Sequence, residues 1–581
     1  MNEKTLVAIA WPYVNGDLHL GHLAGYLLPA DIFARFKRLR GDDVLMVSGS
    51  DCNGTPITVE ADKEGKTPAE IVKIFHAHDV ALFKQYSLSY NLYTTTVTDN
   101  HKKVTQELFM DLLKNGFIVK DISKQYYSEK ENKFLPDRYV EGTCPHCGAE
   151  EQRSDQCEKC GRWLLDGELV SPYSKMTKSR VILKETEHYF LDLTNLSIDL
   201  KKYVKTRKGI WRDWVFAEAL GWIEEGLQKR AITRDLDWGV DIPVKEIGEL
   251  GEKYKLKSFE GKKIYVWFEA VIGYLSAAVE WSGLPDNEEN FNGIFSRTKG
   301  QSKNWKDWWI NENAKHFYFM GQDNLIFHTL MWPGELIGAK KGYTLPYNVV
   351  INKFMNYEGK KFSKSRNWTI DSKTMADKYG VDLVRFAIAS NLPENKEANF
   401  TWKGFVEVVN NELVANLGNF VNRTLKFLES KMEGEVNGKV PELEPEVVRE
   451  IKSAFEESAE FFEKAKFMDG IQRIMSLSRF GNQYFDKHEI WRVIKDDTEE
   501  ARKVMLNLMN IVSALNILMG PVTIDAATKL GDTLKTDAKG LQPEVGVNKW
   551  TFTPRFEYKL AKPVEILFTK LELEKVLSEK A

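Results

Sequence analysis

Two histidines, His19 and His22, stand three apart with Gly21 between them in "PYVNGDLHLGH" (Pro12 to His22), where an apolar run gives way to a helical pattern. Residues three apart in a first helical turn share one face, so both rings can aim N–H groups at one anion. The free backbone N–H groups and partial positive charge of a helix start favour the same guest, which suits the stretch to a phosphate. Gly21 lets a flat ring or a phosphate approach the backbone closely. A second stretch, "KKFSKSRN" (Lys360 to Asn367), is short, strongly cationic and follows an apolar strand. It offers the mobile charge that phosphoryl transfer needs against a developing pentacovalent centre. Neither G-x-x-x-x-G-K-[ST] nor G-x-G-x-x-G occurs, so the two commonest phosphate loops do not supply the chemistry.

A separate chemistry is written in "CPHCGAEEQRSDQCEKC". Cys144 and Cys147 form one C-x₂-C pair, Cys157 and Cys160 another. Two such knuckles make a tetrahedral sulfur cage for Zn²⁺ with no open position, which is a structural arrangement and not a catalytic one. His146 lies inside the first pair and reads as a turn residue. The remaining cysteine, Cys52, reads as a small buried residue.

The elements that must carry these groups are legible in outline. "TLVAIA" (Thr5 to Ala10) is a buried strand, and Asp17 can cap a helix whose apolar residues recur to Leu39, with Pro29 expected to kink or break it and Gly41 to end it. "DVLMVSG" (Asp43 to Gly49) is a second strand, giving a βαβ unit with a parallel sheet. Ligands of such sheets bind beyond the carboxyl ends of the strands, where Asp51 and the histidines then lie. "KKIYVWF" (Lys262 to Phe268), "HFYFMG" (His316 to Gly321) and "YNVVIN" (Tyr347 to Asn352) read as a resumption of that sheet after an insertion. The fold class is therefore α/β, a split Rossmann domain with a zinc-knuckle insertion, followed by an all-α helix bundle. The expected divisions are residues 1–116 (first catalytic half), 117–232 (insertion), 233–350 (second catalytic half), 351–404 (the cationic loop and a connecting segment) and 405–581 (the bundle). In the bundle, Asn419 and Arg423 in "NLGNFVNR" are four apart on one helix face, an amide and a planar guanidinium able to read unstacked base edges, and Trp491 can stack a base.

The chain has 581 residues, a formal charge of −3 and 43% hydrophobic residues, which exclude disorder and a globally basic nucleic-acid coat. A polyanion must therefore meet local patches. The stretch Val504 to Val522 is interrupted by Asn507, Asn510, Ser513 and Asn516, so it reads as a buried bundle helix and not a membrane span. No secretory signal pattern opens the chain, and the expectation is a cytoplasmic protein.

"HLGH" and "KFSKS" together resemble the HIGH-type and KMSKS-type signatures of class I aminoacyl-tRNA synthetases. Within that class, "PYVNGDLHLGHLAGY", "VSGSDCNGTPI", "RAITRDLDWG", "YVWFEAVIGYL" and "MGQDNLIFHTLMWP" resemble the methionyl-tRNA synthetases in order through nearly the whole chain. The resemblance implies that ATP is bound with Mg²⁺, that His19, Gly21 and His22 hold its triphosphate, and that Lys361 and Lys364 close on it as pyrophosphate leaves. It implies a methionine pocket made of Trp11, Tyr13, Asp51, Trp267, Ala270, Tyr274, Asp323 and His328, with Asp51 taking the ammonium. It places one structural zinc in the insertion, and assigns reading of the CAU anticodon of tRNA(Met), initiator and elongator, to Asn419, Arg423 and Trp491. The activity implied is a methionine-tRNA ligase. A monomer is expected, because no further oligomer-forming domain follows "KLAKPVEILFTKLELEK".

Several positions depart from the family pattern. Trp11 stands for a leucine, Val271 for a proline, Met331 for an aromatic, Asn53 for a histidine and Phe362 for a methionine. Leucyl, isoleucyl and valyl enzymes share the signatures but carry a large editing insertion, because one methylene discriminates only about 10–200-fold. The insertion here is too short for that. A cysteinyl enzyme needs an open zinc position, a silent tRNA-binding paralogue would lose a signature residue, and a small-substrate nucleotidyltransferase has no use for the bundle.

Overall fold

The apolar runs at Thr5 to Ala10, Asp43 to Gly49, His316 to Gly321 and Tyr347 to Asn352 all form strands of one sheet. The structure, a computed structural model, describes residues 3–136, 139–154, 157, 159–160, 164, 167–286, 293–363, 368–437, 442–534 and 543–579. The central sheet comprises β1 (Lys4–Ile9), β2 (Asp43–Ser50), β3 (Leu92–Thr95), β4 (Ile294–Phe295), β5 (Lys315–Gly321) and β6 (Pro346–Asn352). Their order is β4-β3-β2-β1-β5-β6, parallel except where β4 runs antiparallel to β3. Alternate residues feed two cores: Val7, Ile9, Phe317 and Phe319 face one, Leu6, Ala8, Tyr318 and Met320 the other. The strand order reverses between β1 and β5, so a crevice opens beyond the carboxyl ends of those two strands.

The helix after β1 does not begin at Asp17. Its N-cap is His19, whose Nδ1 accepts the Gly21 N–H at 3.1 Å, while His22 Nδ1 accepts the His19 N–H at 3.1 Å. Asp17 is exposed and pairs with His78 Nδ1 at 2.7 Å. An imidazole nitrogen presents the same lone pair as an Asp oxygen, which residue-type capping preferences leave out. Nor does Pro29 break the helix. Helical backbone runs through Leu20–His22, a π turn at Leu23–Leu27, and Leu28–Leu39, and Gly41 closes it with φ +88°.

The expectation that "KKIYVWF" resumes the sheet is also corrected. Only Lys262–Ile264 is a strand, in a separate sheet with Thr233–Asp235 and Val240–Asp241, and Val266–Gly283 is a helix. Aromatic and β-branched residues made the run look like a strand. They begin a mostly buried helix whose apolar spacing continues to Trp281.

Between β3 and that helix, a long antiparallel ribbon pairs Ile118–Ser128 with Ile182–Leu191, and a small sheet of Val140–Thr143, Gln152–Arg153 and Val170–Ser174 carries the cysteines at its end. Helices Leu193–Lys205 and Asp213–Glu225 return the chain to the sheet. Beyond β6, helices Ser372–Tyr379 and Val381–Ala389 lead into the bundle, whose long members are Asn419–Lys431, Pro445–Glu463, Phe467–Lys487 and Thr498–Met519. Two asparagines of Thr498–Met519 have partners within the protein: Asn510 exchanges hydrogen bonds with Arg555 O (2.8 Å) and N (3.0 Å), and Asn507 Oδ1 accepts from Glu444 N at 3.0 Å. Among the described residues no helix is long and apolar enough to cross a membrane.

A single guanidinium fastens these parts. Arg385 is fully buried and donates to Asp31 Oδ2 (2.8 Å), Tyr86 O (3.0 Å), Pro521 O (2.8 Å) and Val522 O (3.0 Å). Burial opposes ionisation of Asp31, yet Arg35 and Arg385 outweigh it and hold that carboxyl well below the usual range.

Candidate active site

The two signatures meet over the crevice. The Phe362 ring stacks on the His19 ring with centroids 4.7 Å apart and planes within 5°. Backbone pairing adds to the contact, with Leu20 N donating to Ile370 O at 3.3 Å. Because both histidine Nδ1 atoms accept backbone N–H groups, the proton of each neutral ring sits on Nε2. Both rings are thereby fixed as Nε2–H donors at a helix start, the arrangement an anion needs. A Cβ on Gly21 would lie 2.9 Å from His19 Cε1, so the flat ring that the glycine admits is that of His19 itself. Lys361 is exposed on a two-residue strand paired with Asn356 and Tyr357. Lys364 lies outside the described residues.

The residues expected to form an amino-acid pocket surround the same crevice. Tyr13 follows β1 and bridges to Asp51, which follows β2. Trp267 Nε1 donates to Tyr13 Oη at 2.8 Å, and its ring meets Phe327 at 5.0 Å. The helix Val266–Gly283 carries Trp267, Ala270 and Tyr274 on successive turns. Asp323 sits in the turn Gln322–Asn324 just past β5, and His328 in a second π turn, Phe327–Met331. Behind Trp267 and Phe327 a cavity of about 390 Å³ is floored by Leu193, Trp222 and Met331.

His328 is 2% exposed. Its Nδ1 lies 2.9 Å from Asn324 O, which can only accept, so Nδ1 carries the proton and Nε2 accepts from Tyr274 Oη at 2.8 Å. Burial pulls its pKa down to about 4, only partly opposed by the Asn324 bond, so the ring is neutral at pH 7. His316, fully buried on β5, is likewise pulled to about 4. A folded-state pKa below the unfolded value means the unfolded chain binds more protons. Stability contributed by both rings is therefore complete above about pH 6.5 and is lost as pH falls towards 4. Calorimetric melting from pH 7 to 4 should give a falling midpoint, with a shallower fall in His328→Gln. An equal slope in that variant would remove His328 from the account.

The four cysteine Sγ atoms all lie within 4.8 Å of one another, with Cys147 and Cys157 at 3.6 Å. Tetrahedral Zn–S bonds of about 2.3 Å require S···S edges of about 3.8 Å, so the donor set and its spacing fit a metal ion. Cys144 and Cys157 are buried in a small core with Tyr126, Val140 and Leu169. Cys160 N donates to Cys157 Sγ at 3.4 Å, and Gly148 turns the first knuckle at φ +69°.

In the bundle, the three residues singled out by sequence fall on one patch. Arg423 lies 3.9 Å over the Phe485 ring and bonds Asp486 at 2.5 Å, while Trp491, 38% exposed, stacks on Phe485 at 5.8 Å. Asn419 Nδ2 bonds Asn482 Oδ1 at 3.1 Å one turn away.

A family model described as "tRNA synthetases class I (M)" matches residues 5–425, and one described as the anticodon binding domain of methionyl tRNA ligase matches 436–578. The methionine–tRNA ligase of Roseiflexus castenholzii is 39% identical over 544 residues, covering 92% of this chain and 87% of that protein. That of Pyrococcus furiosus is 38% identical over 587 residues, covering 99% and 76%. The chain belongs to the methionyl-tRNA synthetase family. The Mycobacterium tuberculosis methionyl-tRNA synthetase, solved in complex with methionyl-adenylate, shares the fold at 21% identity and TM-score 0.75, covering 98% of this chain and all of that one.

Three features of this chain were hidden in its sequence. Trp11 lies in a slot made by two glycines: a Cβ on Gly49 would fall 2.1 Å from Trp11 Cζ3, and one on Gly273 2.7 Å from Cε2. The indole Nε1–H is buried and meets no acceptor among the described residues. Asn53 Nδ2 donates to Glu269 Oε1 at 2.9 Å, and Glu269 Oε2 pairs with His101 Nε2 at 2.6 Å, so the amide completes a buried network beside Trp11. Asn352, at the end of β6, reaches the π turn after the histidines. All three depend on neighbours distant in sequence, so no local signal marked them.

Proposed function

We propose that the chain activates methionine with ATP to methionyl-adenylate and pyrophosphate, then transfers methionine to the 3′ end of tRNA(Met), initiator and elongator, for protein synthesis. The observation that carries this reading is the stack of Phe362 on His19, which joins the two signatures beside the Tyr13, Trp267, Tyr274 and His328 cluster. The attacking group is the carboxylate of the amino acid, so a bond forms from its oxygen to the α-phosphorus while the bond to pyrophosphate breaks, and no general base is required. His19 and His22 donate Nε2–H bonds to the triphosphate, and Lys361 and Lys364 follow the charge as pyrophosphate departs. Mg²⁺, when bound with ATP, neutralises phosphate charge. Asp51 takes the substrate ammonium, and Trp11, Ala270 and Asp323 complete the pocket. With His328 neutral and Tyr274 bonded to it, the far end of the pocket offers a soft thioether no ion to desolvate.

One zinc held by Cys144, Cys147, Cys157 and Cys160 would supply structure only. The division at residues 117, 233, 351 and 405, a monomeric state and a cytoplasmic site complete the proposal. ATP–pyrophosphate exchange tests it: methionine alone should drive exchange, and leucine, isoleucine, valine or cysteine doing so instead would overturn it.

The anticodon role of the bundle patch has its own test. Arg423→Ala should lower charging of tRNA with a CAU anticodon by about tenfold or more, as for a lost base contact, and leave tRNA-free exchange unchanged. Equal losses in both assays would mean that Arg423 only supports the fold.

A further inference from the structure

We infer that a proline-anchored π turn aims the two histidines of the first signature, and that Asn352 is the positioning residue that holds this turn. In the π turn Leu23–Leu27 the Leu28 N–H reaches back to Leu23 O, one residue further than in an α-helix. One residue on, Pro29 has no N–H to return to Gly25 O. The carbonyls so released are taken by one side chain: Asn352 Nδ2 donates to Gly25 O at 2.9 Å and to Ala24 O at 3.3 Å. Its amide cannot be turned round, because Arg212 Nη1, which can only donate, lies 2.7 Å from Asn352 Oδ1. Asn352 is 1% exposed at the end of β6.

The same construction stands on the other side of the crevice. The π turn Phe327–Met331 is followed by Trp332 and Pro333, with the Trp332 N–H returned to Phe327 O. It carries His328, as the first turn follows His22. "LAGYLLP" and "FHTLMWP" thus both read as five residues of π turn, one residue, then proline, in the helical segments that follow the two strands flanking the switch of strand order. An α-helix advances about 100° per residue, so the extra residue of a π turn rotates everything before it by about that angle relative to the buried helix beyond. Leu28–Leu39 is anchored in the core. The turn therefore decides which way His19 and His22 face.

The inference rests on the proposed function, and a substitution pair separates aim from stability. Asn352→Ala leaves two carbonyls unmet, so both the melting temperature and kcat/KM for ATP in methionine-dependent exchange should fall, the latter by about tenfold or more, with the methionine dissociation constant little changed. Adding Pro29→Ala supplies an N–H to Gly25 O and permits a regular α-helix. The double variant should regain its melting temperature and keep the low kcat/KM for ATP. Recovery of both together would make Asn352 a structural residue only, and undiminished exchange in Asn352→Ala would overturn the inference outright. If Asn352→Ala does not fold, Pro29→Ala alone decides: lowered kcat/KM for ATP supports the inference, an unchanged value overturns it. Failure of the unaltered chain to exchange with methionine would instead strike the proposed function. ATP binding by calorimetry in the same variants would then still read the aim of the histidines.

Discussion

Replacing His22 by alanine should lower methionine-dependent ATP–pyrophosphate exchange by about 10²–10³-fold, the loss typical of one removed donor to a charge that develops in the transition state. The ring does two things at once. Its Nδ1 caps the His19 N–H at 3.1 Å, which fixes its tautomer and leaves Nε2–H as the donor. Alanine removes both, so a fraying helix start could imitate a lost catalytic contact. Glutamine separates them, because Gln at the third helical position is an ordinary capping-box partner and still carries an amide donor. His22→Gln should therefore keep the melting temperature of the unaltered chain and retain more exchange than His22→Ala. A loss below about threefold in the alanine variant would take His22 out of the reacting centre.

The second large effect belongs to the sulfur cluster. Cys157→Ser should abolish retention of the metal, measured as zinc per chain after dialysis, and should melt the small core around Tyr126, Val140 and Leu169 before the rest of the molecule. Structural zinc sites in isolated knuckles contribute about 10–16 kcal/mol of apparent folding free energy, far more than so small a core supplies. Charging of tRNA should fall more than exchange, since the cysteines sit at the end of a small sheet separate from the central sheet whose first strand leads to His19. An intact chain that holds no metal after purification with zinc present would sink the assignment.

How much of this was legible beforehand depended on how local each cause is. β1, β2, β5 and β6 are strands buried along nearly their whole length that read as mostly apolar runs, and the cysteine knuckles are set by spacing within a few residues. Asp17 was misread because a capping preference is a tendency of residue types, whereas here the cap is an imidazole two residues later. Pro29 was misread because its helix had already widened, an arrangement completed by Asn352 from another strand. "KKIYVWF" was misread because strand and buried helix share a composition over seven residues and part only over fifteen or so. The Trp11 slot needed Gly49 and Gly273, which are neighbours only once β2 and the helix Val266–Gly283 are packed.

The buried Arg385 bears on how this gene can be divided. A fragment stopping near residue 404 would keep both signatures, the cysteines and every strand of the sheet, and on inspection would look like a self-sufficient enzyme. It would lack Pro521 O and Val522 O, half of the acceptors that surround a cation sealed from water. The seam in the sequence is therefore not a seam in the molecule. Exchange of bundles between relatives, by recombination or by the cloner's scissors, must carry the turn at Pro521 and Val522 along with its arginine.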